Sequence, residues 1–249
     1  MCALNDVNRP VCVFDSGIGG LNLLYACAKM CPETNFMYFA DNYNVPYGSL
    51  SEKRVKALVH DIFDEIASYN PLAVVVACNT VTALCISDLR ARYNFPILGI
   101  QPAIKQAVRT AGDCLVLATP ATVSSPSFKA LCNAYGQGRV KAVACPSLAS
   151  YIEDNIFDYP DIKISGLLPA ASPSSVVLGC THYVFAAKSI SEAYSCATFD
   201  GILGTADHLR KILKNLQCFS VKKRIIQFKR GDNAKNQKIF NMLLSNLNK

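Results

Sequence analysis

Two cysteines stand apart from the rest of the twelve in this chain. Cys78 sits in Ala77-Cys78-Asn79-Thr80, and Cys180 sits in Gly179-Cys180-Thr181-His182. Each follows a β-rich apolar run and precedes a helical pattern. A thiolate is a base and a thiol is an acid. Two of them on opposite sides of a ligand could take a proton from a carbon α to a carboxylate on one face and return one on the other, inverting that centre. The base side requires a thiol pKa below the ordinary value of about 8.5. His182, two residues after Cys180, can hold or relay a proton. Asp15 ends the first apolar run, near where the run before Cys78 ends. It could orient a substrate ammonium group or assist Cys78. Ser16, Asn79, Thr80 and Thr181 occupy strand-to-helix junctions, where backbone N–H groups favour anions, so the expected ligand carries carboxylates. Pro46-Tyr47-Gly48 is expected to add a rigid turn with exposed backbone donors. Singly, each residue has an ordinary role: a cysteine packs in a core, a histidine is satisfied at the surface, an aspartate caps a helix. Their convergence is what suggests a site.

That convergence depends on the elements around them. Val11–Phe14, Phe36–Phe39 and Ala73–Ala77 read as strands. They alternate with helical stripes at Leu21, Leu24, Tyr25 and Ala28, then at Val55, Leu58, Val59, Ile62 and Ile66, then from Thr82 to Tyr93. Ser49-Leu-Ser-Glu52 has capping-box spacing before the second helix. Strands apolar on both faces, alternating with helices, predict a parallel α/β sheet. A second round follows: Cys114–Leu117 resembles Val11–Phe14 at an offset of 103 residues, and Val176–Thr181 resembles Val74–Asn79 at an offset of 102. Two similar α/β halves are therefore expected, with the chain after about Asp207 returning to the first. Ligands bind beyond the carboxyl ends of such strands, so facing halves would set Cys78 opposite Cys180.

Composition narrows the alternatives. The 249 residues are 51% hydrophobic and 17% charged, which excludes a disordered chain. No apolar run approaches the roughly 18 residues of a membrane span. The first residues lack the basic-then-apolar pattern of an export signal, so a cytoplasmic protein with reduced thiols is expected. No C-x-x-C pair occurs, and Cys27 and Cys31 alone make a poor metal site, so no metal is expected. Residues 210–249 carry eleven Lys/Arg against one acid, while the remainder is slightly acidic. Such a segment could bind nucleic acid, but it reads better as a solvated face of packed helices marked by Ile212, Leu213 and Leu216 and by Phe240, Leu243, Leu244 and Leu247.

The motifs Phe14-Asp15-Ser16-Gly17-Ile18-Gly19-Gly20-Leu21, Pro46-Tyr47-Gly48, Ala77-Cys78-Asn79-Thr80 and Gly179-Cys180-Thr181-His182-Tyr183, with Thr119, Thr122 and Ser125 and with Glu153 after Ala144-Cys145-Pro146, resemble glutamate racemases of the aspartate/glutamate racemase superfamily. The resemblance spans nearly the whole chain in the family's order. It implies a cofactor-independent enzyme that interconverts L- and D-glutamate, the D form supplying peptidoglycan synthesis in a bacterial cytoplasm. It implies that Cys78 acts on D-glutamate and Cys180 on L-glutamate, assisted by Asp15 and by His182 with Glu153. Substrate would be held by Asp15, Ser16, Pro46, Tyr47, Gly48, Asn79, Thr80, Thr119, Thr122 and Thr181. The implied fold is two parallel-sheet α/β domains related by a pseudo-twofold, residues 1–97 with 208–249 and residues 98–207, with the site in the cleft between them. Homodimers are implied, with no membrane and no nucleic acid as partner, and the short N-terminus offers no obvious extension for an activator.

Departures from the family pattern fall at Asn44-Val45, Val81, Phe128, Val184, Gly201 and Arg230. None removes an expected acid or base, so they bear on side-chain selectivity and rate. Aspartate racemases and other dicarboxylate isomerases share the paired cysteines. Pro46-Tyr47-Gly48 and Glu153 favour glutamate. A dinucleotide-binding oxidoreductase would use Gly17-x-Gly19 and Asp41, but Asn22 replaces the third glycine and Asp15 would repel a pyrophosphate. A pyridoxal enzyme needs a lysine in such a strand-end motif, and none is present. A basic nucleic-acid-binding protein leaves the cysteine motifs without a role.

Overall fold

The structure, a computed structural model, describes residues 9–110, 112–164, 166–216 and 224–246. Its first sheet contains β1 (Val11–Asp15), β2 (Phe36–Ala40), β3 (Ala73–Val76), β4 (Ile97–Gly99) and β9 (Ile226–Arg230). Its second contains β5 (Cys114–Ala118), β6 (Val140–Ala144), β7 (Ser175–Gly179) and β8 (Ala197–Phe199). The orders are β4-β3-β1-β2-β9 and β6-β5-β7-β8. Every strand pairing is parallel. Read from the other edge, the second sheet runs β8-β7-β5-β6 and repeats β4-β3-β1-β2 of the first, element for element, at offsets of 100 to 104 residues. The expected α/β halves are thus present with one topology.

Helices cover both faces, as parallel strands require. They are α1 (Leu21–Met30), α2 (Glu52–Ser68), α3 (Asn79–Arg92), α4 (Ile104–Ala107), α5 (Pro120–Ser124), α6 (Pro126–Tyr135), α7 (Leu148–Asp154), α8 (Ala187–Tyr194), α9 (Ile202–Asn215) and α10 (Asn233–Asn246). Alternation along β1 shows why. Val11 and Val13 join an apolar cluster with Leu24 of α1, Leu209 of α9 and Ile239 of α10. Cys12 and Phe14 face the other way, into a cluster with Val59 and Phe63 of α2 and Leu89 of α3. The first cluster continues into the second half through Leu115, Leu117, Ile152 and Leu178, so one apolar layer joins both sheets. Each fully buried side chain of this size stabilises by roughly 1.5–3 kcal/mol.

Several local expectations shift. Ser51, not Ser49, caps α2: its hydroxyl accepts the Arg54 N–H at 3.3 Å, while Ser49 closes a 3-10 turn over Tyr47–Ser49. Helix α3 begins at Asn79, three residues before the apolar stripe, because Cys78 already leaves the strand. β9 pairs with β2 of the first sheet, and positions 97/98 and 207/208 fall inside β4 and α9. β4 stays with the first sheet through Val74↔Ile97 to Val76↔Gly99. Among the described residues, no helix is long and apolar enough to cross a membrane. Phe240 and Leu243 are buried as the stripe predicts, and Leu247 lies outside the described residues. Several of the described basic residues near the C-terminus have partners. Arg230 pairs with Asp61 and Glu65, Arg210 and Lys211 pair with Asp207, and Lys238 lies over the Phe157 ring.

Candidate active site

β3 and β7 occupy equivalent places in the two sheets, and each leads into its cysteine. Cys78 precedes the first turn of α3, and Cys180 precedes a 3-10 segment over Thr181–Ala186. Both side chains are buried, and a charge on Cys180 is felt at Cys78. Ser16, one residue past β1, places its hydroxyl 3.6 Å from the Cys78 sulfur. Burial pushes the Cys78 thiol up to about 12, and the Asp15 charge adds to it; the Val81 N–H and the Ser16 hydroxyl offset part of the rise. At neutral pH Cys78 therefore rests as a thiol, an acid and not a base.

Asp15 is fully buried between the halves. Its Oδ1 accepts the Gly17 N–H at 2.9 Å, and its Oδ2 accepts the Thr181 hydroxyl at 3.1 Å. Burial raises its carboxyl to about 6, against the pull of His182, Gly17 and Thr181. It does not cap α1, whose N-cap is Gly20. Asp15 can thus change protonation near neutrality beside Cys78.

The Cys180 side is a chain of contacts. His182 Nδ1 lies 3.9 Å from the Cys180 sulfur, and His182 Nε2 lies 2.7 Å from Glu153 Oε2. Glu153, on α7, also accepts the Ile18 N–H at 3.2 Å, which ties it to the loop after β1. Burial works against charge on both groups. The His182 hydrogen bond and charge nevertheless hold Glu153 down at about 2, and the bonds to Cys180 and Glu153 raise His182 well above its usual value. The pair is an imidazolium and a carboxylate, aimed at the second sulfur.

The glycine turn after β1 is shaped by these groups rather than by a dinucleotide. A Cβ on Gly17 would stand 2.7 Å from Glu153 Oε2, and one on Gly19 would stand 2.8 Å from both N and Nδ1 of His182. The space above the turn is filled by the other half. Asp41, the residue a dinucleotide reading would assign to a ribose, instead accepts the Tyr47 hydroxyl at 2.7 Å and both 3.0 Å bonds from Asn44 Nδ2.

The remaining expected residues fall in two groups. Thr80, Thr119 and Thr122 join their hydroxyls across the cleft: Thr80–Thr119 at 2.9 Å, Thr119–Thr122 at 2.9 Å and Thr80–Thr122 at 3.4 Å. Asn79 is buried beside them. Gly48 lies against the Thr119 side chain, and Pro46 follows a cis peptide bond from Val45. Tyr47 and Gly48 are buried, so the expected turn with exposed donors is corrected to a turn packed into the cleft wall. Ser125 serves as the N-cap of α6 and accepts the Phe128 N–H. Two contacts were not legible in the sequence. Asn42 Nδ2 reaches Glu153 Oε1 at 3.4 Å, and Lys235 Nζ reaches the same oxygen at 3.1 Å. Asn42 adjoins Asp41 in a stretch that already stood out. Lys235 is 82 residues from Glu153 and carries no local signal.

The pattern of the Asp/Glu/hydantoin racemase family matches residues 22–209. The chain is 38% identical to the glutamate racemase of Clostridium novyi strain NT, over 95% of this chain and 92% of that one. It is 36% identical to the glutamate racemase of Clostridium botulinum strain Hall, over 90% of each. The crystal structure of glutamate racemase isoform RacE1 from Bacillus anthracis superposes with a TM-score of 0.82 at 27% identity, covering 95% of this chain and 94% of that one.

Proposed function

This chain belongs to the Asp/Glu/hydantoin racemase family and is an isomerase, and from that membership and the site geometry we propose that it interconverts L- and D-glutamate by passing the α-proton between Cys78 and Cys180. The observation that carries the reading is the equivalence of β3 and β7, each delivering a buried cysteine to one cleft. L-glutamate loses its α-proton to the Cys180 sulfur, with His182 and Glu153 holding the relay. The Cys78 thiol returns a proton to the opposite face and gives D-glutamate. In reverse, Cys78 must first give up its proton, and Asp15, titrating at about 6 beside it, is placed to balance that change. The three threonine hydroxyls and the N-terminal amides of α3 suit the two substrate carboxylates. Ser16, Asn79, Thr181, Pro46, Tyr47 and Gly48 complete the binding set.

The scheme uses side chains alone and no cofactor. The family membership supports a homodimer working in the cytoplasm, with D-glutamate going to peptidoglycan synthesis. Circular dichroism in heavy water, starting from L-glutamate and then from D-glutamate, tests the reading. Decay of the signal from both sides, with deuterium entering at the α carbon, is expected. Activity with aspartate and silence with glutamate would transfer the mechanism to another dicarboxylate. Full activity in Cys78→Ala or Cys180→Ala would sink the two-thiol scheme.

A further inference from the structure

A cation from the C-terminal return touches the Cys180 relay. Lys235 lies in the first turn of α10, 27% exposed, with Nζ 3.1 Å from Glu153 Oε1 and 3.4 Å from the Glu153 carbonyl oxygen. Helix stability does not account for its place, because a cation in a first turn opposes the helix dipole. The turn is fixed from outside. Asp232 Oδ1 accepts the Lys235 N–H at 2.9 Å, and the Asp232 N–H donates to Asn42 Oδ1 at 3.1 Å. Asn236 Nδ2 donates to the same Asn42 oxygen at 3.1 Å. Gly231 enters this turn at φ +83°, where a side chain would collide with Asn42 Oδ1 and the Ala40 carbonyl. One oxygen of Glu153 is thus met directly by Lys235 and, through Asn42, by the loop that seats Lys235. The other oxygen is on His182.

We propose that Lys235 is a positioning residue for the Cys180 half of the reaction, fixing the Glu153 carboxylate so that His182 keeps Nδ1 against the sulfur. This rests on the two-thiol reading. The charged and titratable groups around Glu153 are His182 from the 3-10 segment, Lys235 from α10, Asp15 from β1 and Tyr38 from β2. Of these, His182 and Lys235 favour its charged form. Without Lys235, Glu153 Oε1 keeps only the longer Asn42 contact, and the carboxylate is freer to turn away from His182.

The test compares purified full-length Lys235→Met and Lys235→Arg with wild type, Cys78→Ala and Cys180→Ala. For Lys235→Met, kcat with L-glutamate is expected to fall roughly three- to tenfold. The primary isotope effect with α-deuterated L-glutamate should grow and that with α-deuterated D-glutamate should shrink, because the Cys180 step becomes the slower one. Lys235→Arg should restore both readouts. A lower rate with unchanged isotope effects would mean a structural contact only and would overturn the assignment. Failure of the underlying reading looks different: one of the cysteine variants would then keep full activity.

Discussion

Asp15→Asn should make the protein more stable and less active, and the gain in stability should depend on pH. Asp15 is fully buried, and its carboxyl is raised from 3.8 to about 6 by that burial. The shift corresponds to roughly 3 kcal/mol borne by the folded state whenever Asp15 is charged. The sign follows from the raised folded-state value. Below pH 3.8 the carboxyl is neutral in both states and the penalty is absent. It grows between 3.8 and about 6 and is fully present above that. Asparagine keeps the shape: Oδ1 still accepts the Gly17 N–H, and Nδ2 can donate to the Thr181 hydroxyl once that rotor turns. At pH 7.5 the variant should melt roughly 5 to 10 °C higher than wild type. At pH 4 the two should nearly coincide. Racemisation should fall by roughly 100-fold, since a proton acceptor beside Cys78 is lost. Melting curves from pH 4 to 8, with rates on the same samples, measure both. A variant destabilised equally at pH 4 and pH 7.5 would refute the reasoning.

Gly19→Ala should cost roughly 1–3 kcal/mol and about 100-fold in rate, because the new Cβ pushes on Thr181 and His182; thermal melts with racemisation assays check it, and a near-wild-type rate would contradict the packing. Glu153, held at about 2, contributes stability that is present above 4.5 and lost as pH falls toward 2. Glu153→Gln should therefore be less stable at neutral pH and flatter through acid titration, followed by circular dichroism. Arg230→Ala removes ion pairs to Asp61 and Glu65 on α2 and should cost about 1 kcal/mol in urea unfolding at low salt. The gap should narrow with added salt; a salt-independent gap would mean that the contact is packing instead.

What the sequence revealed of the fold follows burial. The strands legible as apolar runs are β1, β2, β3, β5 and β7, each flanked by neighbours on both sides. Those not legible are β4, β6, β8 and β9, the four edges, which are short or half-exposed and lack a run apolar on both faces. An edge strand is specified by the neighbour it pairs with more than by its own residues. The site divides the same way. Cys78, Cys180, Asp15 and His182 announce themselves at strand ends. Glu153 lies on a helix and was reached through resemblance alone. Lys235 and Asn42 matter through contacts that only the folded return of the chain creates. The glycines after β1 are legible as a motif, but what packs against them, His182 and Glu153 of the other half, is not.

Among the described residues, β9 and α10 have no counterpart in the second half. The two stations already differ, with Ser16 and Asp15 beside Cys78 and His182 with Glu153 beside Cys180, and the return adds Lys235 to the second alone. For the proposed reaction, substrate and product have equal free energy in water. The ratio of forward to reverse kcat/KM is therefore pinned at one, whatever the protein does. The added strand and helix cannot change that ratio. They can decide how it is composed, which enantiomer is held more tightly and which is turned over faster. An appendage to one half of a duplicated fold is thus a means of giving an unbiased equilibrium a biased landscape.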